Sequence, residues 1–402
     1  MSSLKLNGVN KIYPSGTLAL YDANLETTDK EFVVIVGAEE SGKSTLLRVI
    51  AGLEEASEGR IFIDDKDVTE VEPKDRDIAM VFRNNTLYPA LNVFDNMAFG
   101  LKIRKASPAL IEQRVKSAAK ILGLEDILFR KPKALTAAQR QRVAIGRAMV
   151  REPKLYLLDE PLAGLDEKLK AELLSVIINI QARMEGTFVY ATKNLSEALT
   201  IGTRIIVMKK GTIQQIDTPA NLYDYPVNAY VAFYIGAPSI NFVNNAKIVK
   251  TAEGVFAEDN DLKVKLSDKV IARFENIDDY ANTSRRVILG IRPEDMVTIK
   301  GEGAEVTKVE NDGDDYYAEC KYLNHTLVVK TQKEQGTGAC GLEIDLDRIH
   351  LFDSETRLSL LSRDEGYKKT GFADADLKPL TFPEEEELLK TFKTKKAEKK
   401  KK

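Results

Sequence analysis

Histidine, cysteine and long apolar runs are all scarce in this chain of 402 residues. Its two histidines, His325 and His350, lie far in sequence from the motifs that carry charge and phosphate chemistry, so both read as surface or structural side chains rather than metal ligands or bases. Cys320 and Cys340 are twenty residues apart and lack metal-ligand spacing, which leaves plain thiols of a reducing compartment as the expectation. The opening residues MSSLKLNGVNK contain no apolar stretch of signal-peptide type. No apolar run approaches the roughly 20 residues that cross a bilayer. Any membrane role is therefore expected to run through partners, from the cytoplasmic side. A net charge of −3 gives no reason to expect a nucleic-acid surface, and no nucleic-acid partner is predicted.

What the chain does contain is a soluble balance of 43% hydrophobic and 30% charged residues, over a length that suits two domains and a tail. Residues 1–235 alternate short β-branched runs with helical stretches, the pattern of an α/β domain. Strands are expected at 32–36, 77–82, 155–159 and 187–192, and a hairpin at 204–216 turning on Lys210-Gly211. Between about 88 and 150 the pattern becomes mainly helical, which predicts an inserted helical subdomain. From 236 to 362 short strand-like runs such as KIVKT, RVILGIR and TLVVK alternate with Gly, Asp and Asn turns, predicting an all-β, barrel-like domain. After 363 the pattern fades into a lysine-rich end, read as a disordered, solvated tail.

The densest chemistry lies at 32–45, FVVIVGAEESGKST. An apolar strand leads into Gly37-x-x-x-x-Gly42-Lys43-Ser44 and then a helix, which is the setting a phosphate-binding loop requires. Backbone N–H groups and the helix N-terminus favour an anion. Lys43 would reach the β- and γ-phosphates and Ser44 would ligate Mg²⁺. Glu39 and Glu40 place carboxylates inside this loop and oppose a phosphate. Downstream, LYLLDEP (155–161) reads as a buried strand that delivers Asp159 and Glu160 at its tip. Asp159 is expected to hold Mg²⁺, and Glu160 to polarise an attacking water as general base.

With those two motifs the chain resembles the ATP-binding subunits of ABC transporters, above all those of carbohydrate importers of the maltose and glycerol-phosphate type. The resemblance extends over nearly all of residues 1–362. LTAAQRQRVAIGRAMV (135–150) is similar to the family's signature stretch, PLAGLD (161–166) to its D-loop, and LYPALNVFDNMAFGLK (87–102) to the segment that docks membrane subunits. VILGIRPED (287–295) and RIHLFDSET (348–356) resemble the importers' regulatory β-domain. The resemblance implies a P-loop ABC nucleotide-binding domain with a helical subdomain, followed by an OB-like regulatory domain. It implies ATP and Mg²⁺ as ligands. The nucleotide contacts would be Tyr13 on the adenine, Gly37, Ala38, Glu39, Glu40, Ser41, Gly42, Lys43, Ser44 and Thr45 in the loop, and Arg83 at the Q-loop position. Implied partners are a second ATPase subunit (itself or a paralogue), membrane-spanning permeases docking near 83–102, and indirectly an extracytoplasmic solute-binding protein. The implied location is the cytoplasmic face of the membrane, as a peripheral subunit.

Departures from the family pattern fall at nucleotide contacts. Ala38, Glu39 and Glu40 replace Pro, Ser and Gly, Arg83 replaces the Q-loop glutamine, and Lys193 replaces the switch histidine. Ala137 and Ala138 replace the signature glycines, while Thr136 keeps a hydroxyl and Gln139 is retained. Ala163 replaces the D-loop serine, with Asp166 retained. Glycine serves where backbone approaches a ligand or takes φ > 0, so the two alanine methyls are expected to push away a facing phosphate. Lysine is a donor without an acceptor and cannot copy an imidazole. Arg83 is not expected to pair with Glu39 or Glu40. Three readings follow: a motor subunit of a sugar importer, a weakly hydrolysing partner in an asymmetric pair, or a regulatory protein that has left transport.

Overall fold

A computed structural model describes residues 3–84, 86–312, 315–332 and 336–367. Most of the tail expected at 363–402 lies outside the described residues. The chain forms two compact units, one ending at Pro219 and the other starting at Ala220, whereas the sequence pattern places the change of texture near 235.

The first unit runs through β1 (Leu4–Ile12), β2 (Leu18–Glu26), β3 (Phe32–Val36), α1 (Lys43–Ala51), β4 (Glu58–Ile63), β5 (Lys66–Asp67), β6 (Ile78–Val81), α2 (Val93–Ile103), α3 (Pro108–Leu122) and α4 (Ala137–Met149). It continues through β7 (Leu155–Asp159), α5 (Glu167–Gln181), β8 (Thr187–Thr192), α6 (Leu195–Ile201), β9 (Arg204–Lys209) and β10 (Thr212–Asp217). Continuous apolar runs suit strands covered on both faces, and every residue of β3, β7 and β8 is buried. These strands sit in a six-stranded sheet of order β10-β9-β3-β8-β7-β6, parallel from β9 to β6. The β9–β10 hairpin turns on Lys210 at φ 44° and Gly211 at φ 81°, two left-handed residues as a type I′ turn requires.

A second, antiparallel sheet has the order β2-β1-β4-β5. Its strands mix buried residues with half-buried and exposed ones, and polar or charged side chains fall among both, which dilutes the apolar signal that marks the central strands. Leu4, Leu6 and Leu20 from this sheet share a core with Leu46, Leu47 and Ile50 of α1. The predicted helical stretch resolves into α2, α3 and α4. Asn92 caps α2, and Ser107 caps α3 with Pro108 in its first turn, each side chain accepting a backbone N–H that the helix cannot satisfy.

The second unit holds α7 (Pro219–Asp224), α8 (Ala229–Tyr234), β11 (Asn241–Thr251), β12 (Gly254–Glu258), β13 (Lys263–Lys265), α9 (Asp268–Arg273), β14 (Val287–Ile291), β15 (Met296–Asp312), β16 (Asp315–Tyr322), β17 (His325–Thr331), β18 (Gly338–Ile344) and β19 (His350–Asp353). Two sheets, β13-β12-β11-β14-β19 and β16-β17-β15-β18, enclose a core that includes Val243, Val287, Leu289, Val329 and Leu351. Cys320 and Cys340 are free thiols in that core, and burial pushes the Cys320 thiol up to about 12. His350 stacks on Phe352 at 6.3 Å, with burial holding its pKa well below the usual value. His325 lies 2.8 Å from Asp259. Both histidines have structural surroundings.

Arg292, in the RPE turn, is only 1% exposed. It donates to the carbonyls of Ile235 at 2.7 Å and Tyr223 at 2.6 Å, and its guanidinium lies 3.6 Å from the Tyr223 ring centroid. It therefore ties the end of β14 to the chain around α7 and α8. Arg292→Ala is expected to lower the stability of this unit by about 3 kcal/mol, since buried carbonyls lose their donors. Thermal melting followed by near-ultraviolet circular dichroism of tyrosine checks this, and an unchanged melt would contradict it.

Candidate functional site

The register of the central sheet places four chain reversals side by side. Val36 of β3 is level with Thr192 of β8, Asp159 of β7 with Ala191 of β8, and Val81 of β6 with Leu158 of β7. The residues just past these strands thus share the C-terminal edge of a parallel sheet, where ligands of such folds bind. They are the loop at 37–42, Lys193, Glu160 and Arg83.

The loop is held by glycine geometry at two points. Gly42 caps α1 at φ 100°, and a Cβ there would meet the Ala19 carbonyl oxygen at 2.8 Å. Gly37 is buried, and a Cβ on it would run into the Met208 carbonyl. Lys43 is 5% exposed. Its ammonium donates to the carbonyls of Gly37 and Ala38, both at 2.8 Å, and to Ser41 Oγ at 3.2 Å. Burial lowers its pKa, and the charges of Glu160 and Asp159 oppose that shift. Ser44 Oγ donates to Asp159 Oδ1 at 2.8 Å, so these two oxygens meet at the strand tip.

The acids of the loop separate. Glu40 is exposed and takes φ 62°, a left-handed conformation that favours glycine and costs another residue about 1–2 kcal/mol. Its departure from glycine therefore acts through backbone strain. Glu39 accepts a hydrogen bond from Lys193 Nζ at 2.8 Å. Lys193 lowers the Glu39 pKa, and Glu39 raises that of Lys193. Two substitutions that look like independent lesions are thus one ion pair. Arg83 instead stands 3.5 Å from Glu160, through Nε and Oε2, and reaches Glu39 only as a weaker, longer-range charge. Glu160 itself sits at φ 44°, its N–H bonded to the Ala191 carbonyl at 2.9 Å. Tyr13 stands beside this site, its hydroxyl 3.4 Å from Thr45 Oγ1 and its ring 5.1 Å from Lys11 Nζ.

The ABC transporter family pattern matches residues 20–163, and the MalK OB fold domain matches residues 236–296. The chain is 40% identical over 376 residues to the oligosaccharides import ATP-binding protein MsmX of Bacillus subtilis (strain 168), covering 90% of this chain and 100% of that protein. The chain belongs to the ABC transporter ATP-binding family. The trehalose/maltose import ATP-binding protein MalK of Thermococcus litoralis is also 40% identical, over 89% of this chain and 99% of that protein. A solved ABC structure, cbiO1 from Clostridium perfringens, part of the transporter complex cbiONQ, covers 55% of this chain and 90% of its own at 29% identity and a TM-score of 0.51.

In this ABC chain the segment that resembles the family signature begins α4. Thr136 Oγ1 accepts from Gln139 N–H at 3.2 Å, and Gln139 Oε1 accepts from Thr136 N–H at 3.0 Å, a reciprocal capping box. Ala137 and Ala138 are its first helical residues. Glycine's left-handed freedom is not needed at either, so methyl bulk is the remaining difference. The hydrogen bonds of Thr136 and Gln139 stay within the cap. Asp166 likewise caps α5, accepting from Leu169 N–H at 3.0 Å. One residue absent from the sequence reading is Glu197, whose carboxylate accepts from Tyr190 and Thr192 hydroxyls, both at 2.7 Å, and so braces the turn that carries Lys193. Its signal is the spacing Asn194-x-x-Glu197, a helix-start pattern.

Thr136→Ala is expected to destabilise the first unit by about 1 kcal/mol, the typical effect of losing an N-cap. A urea titration of the full chain measures it, and Thr136→Ser should restore most of the loss.

Proposed function

We propose that this chain is the ATP-binding subunit of a carbohydrate-type importer, binding ATP with Mg²⁺ and acting on solute through separate membrane-spanning subunits. The observation that carries this is the meeting of Lys43, the Ser44–Asp159 pair and Glu160 at one sheet edge, in a chain that matches sugar-import proteins along their whole length. Lys43 would exchange loop carbonyls for the β- and γ-phosphates, and Ser44 and Asp159 would hold Mg²⁺. The ion, when bound, neutralises phosphate charge. Glu160 would accept the proton of the attacking water. Arg83 Nε stands 3.5 Å from the Glu160 carboxylate and would compete with the attacking water for that oxygen, which supports slow turnover.

A cleft of about 260 Å³ between the end of β6 and helices α2 and α4, with Phe82, Tyr88, Phe99 and Ile103 on its walls, supports permease docking at 83–102. Phe82 and Ile103 are 45% and 67% exposed there. The exposed start of α4 supports pairing with a second ATPase subunit, itself or a paralogue. No helix among the described residues is long and apolar enough to cross a membrane; attachment would be peripheral, at the cytoplasmic face, through the permeases. A solute-binding protein would act only indirectly.

The purified chain should release phosphate from Mg-ATP slowly. Glu160→Gln should remove that release, and Arg83→Gln should raise it several-fold by freeing the base. Release that persists in Glu160→Gln would contradict the assignment. Ile103→Asp should abolish co-purification with membrane subunits while leaving nucleotide affinity within twofold. Retained co-purification would move the docking surface elsewhere.

A further inference from the structure

The ion pair between Glu39 and Lys193 lies at the same sheet edge as the P-loop lysine. Three residues past β3 and one past β8 meet because Val36 and Thr192 are in register, with Lys193 Nζ 2.8 Å from Glu39 Oε1. Glu39, Lys193, Glu160 and Asp159 all act on the charge of Lys43, so the pair borders the space that Lys43 serves. A P-loop lysine reaches the β- and γ-phosphates, and the group beyond it in such a site is the terminal phosphate. By resemblance Lys193 stands at the position that senses this phosphate, and a carboxylate of this chain already accepts its hydrogen bond.

A diphosphate would lie under the loop amides and Lys43 without disturbing the pair. A triphosphate would bring its last phosphate against Glu39, and Lys193 would have to exchange one anion for another. The exchange yields little at Lys193, because an exposed pair and its replacement are both well solvated: Lys193 is 51% and Glu39 72% exposed. The repulsion between Glu39 and the terminal phosphate remains as a net penalty.

We propose that the Glu39 carboxylate, held by Lys193, takes the place of a terminal phosphate, so that this chain's own site prefers nucleoside diphosphate to triphosphate. The proposal rests on the nucleotide-site reading above and names its selectivity. In a transporter with a stronger partner site, such a subunit would remain loaded with product while the partner turns over.

The test is equilibrium titration of the full chain with fluorescent N-methylanthraniloyl-ADP and its non-hydrolysable triphosphate counterpart, both with Mg²⁺. The unmodified chain should bind the diphosphate roughly tenfold more tightly. Glu39→Gln keeps the side-chain shape, lies at an exposed position and removes the charge. It should raise triphosphate affinity relative to diphosphate affinity by roughly tenfold. Equal affinities in the unmodified chain, or a ratio that Glu39→Gln does not move, would overturn the proposal and leave the nucleotide site standing. Binding of neither nucleotide to either protein would overturn the site itself.

Discussion

Parallel strand register is the constraint on which this site depends. A parallel ladder fixes neighbouring strands to one another by evenly spaced backbone bonds, so the strands that end level hand their next residues to the same edge. Here β3, β8, β7 and β6 are adjacent, and each ends in a turn that carries charge. Every chemically active pair in the first unit follows from that order: Ser44 with Asp159, Glu39 with Lys193, and Arg83 with Glu160. None of these partners is close in sequence. A slip of two residues between β3 and β8 would keep each side chain on its face of the sheet yet separate Glu39 from Lys193.

The electrostatics of the edge form a set rather than a sum of defects. Lys43, Lys193 and Arg83 face Glu39, Asp159 and Glu160, three cations against three carboxylates. Replacing a polar loop residue with an acid would leave unbalanced charge beside Lys43, and replacing a switch imidazole with lysine would add the opposite charge nearby. Together they cancel. Charge balance is not the same as catalytic balance. Lys193 and Arg83 answer carboxylates, whereas an imidazole and an amide also accept hydrogen bonds. On the proposed reading, the site would keep the means to bind phosphate better than the means to direct water.

Much of this was legible in residue order. The P-loop spacing, the apolar run ending in Asp159-Glu160, the Lys210-Gly211 turn and the strand-rich texture of the second half each express a local rule, in which one segment contains its own signal. The half-exposed strands β1, β2 and β4 were less visible because polar and charged residues interrupt their apolar positions. The alanines at the signature were read as methyl groups that push away a facing phosphate; the helix starts at Ala137, where alanine is well suited, so bulk and not backbone freedom is what they change. The RPE turn had no assigned task until Arg292 was seen bonded to the carbonyls of Tyr223 and Ile235.

The sequence by itself determined which side chains are present and which segments form strands, turns and helix starts, because those depend on propensity, periodicity and capping within a few residues. It also carried the family, through motifs of fixed local spacing. Only the tertiary structure decided what each charge is paired with. Lys193 is 154 positions from Glu39, and Coulomb energy depends on distance in space, which the alignment of β3 with β8 sets and the order of residues does not.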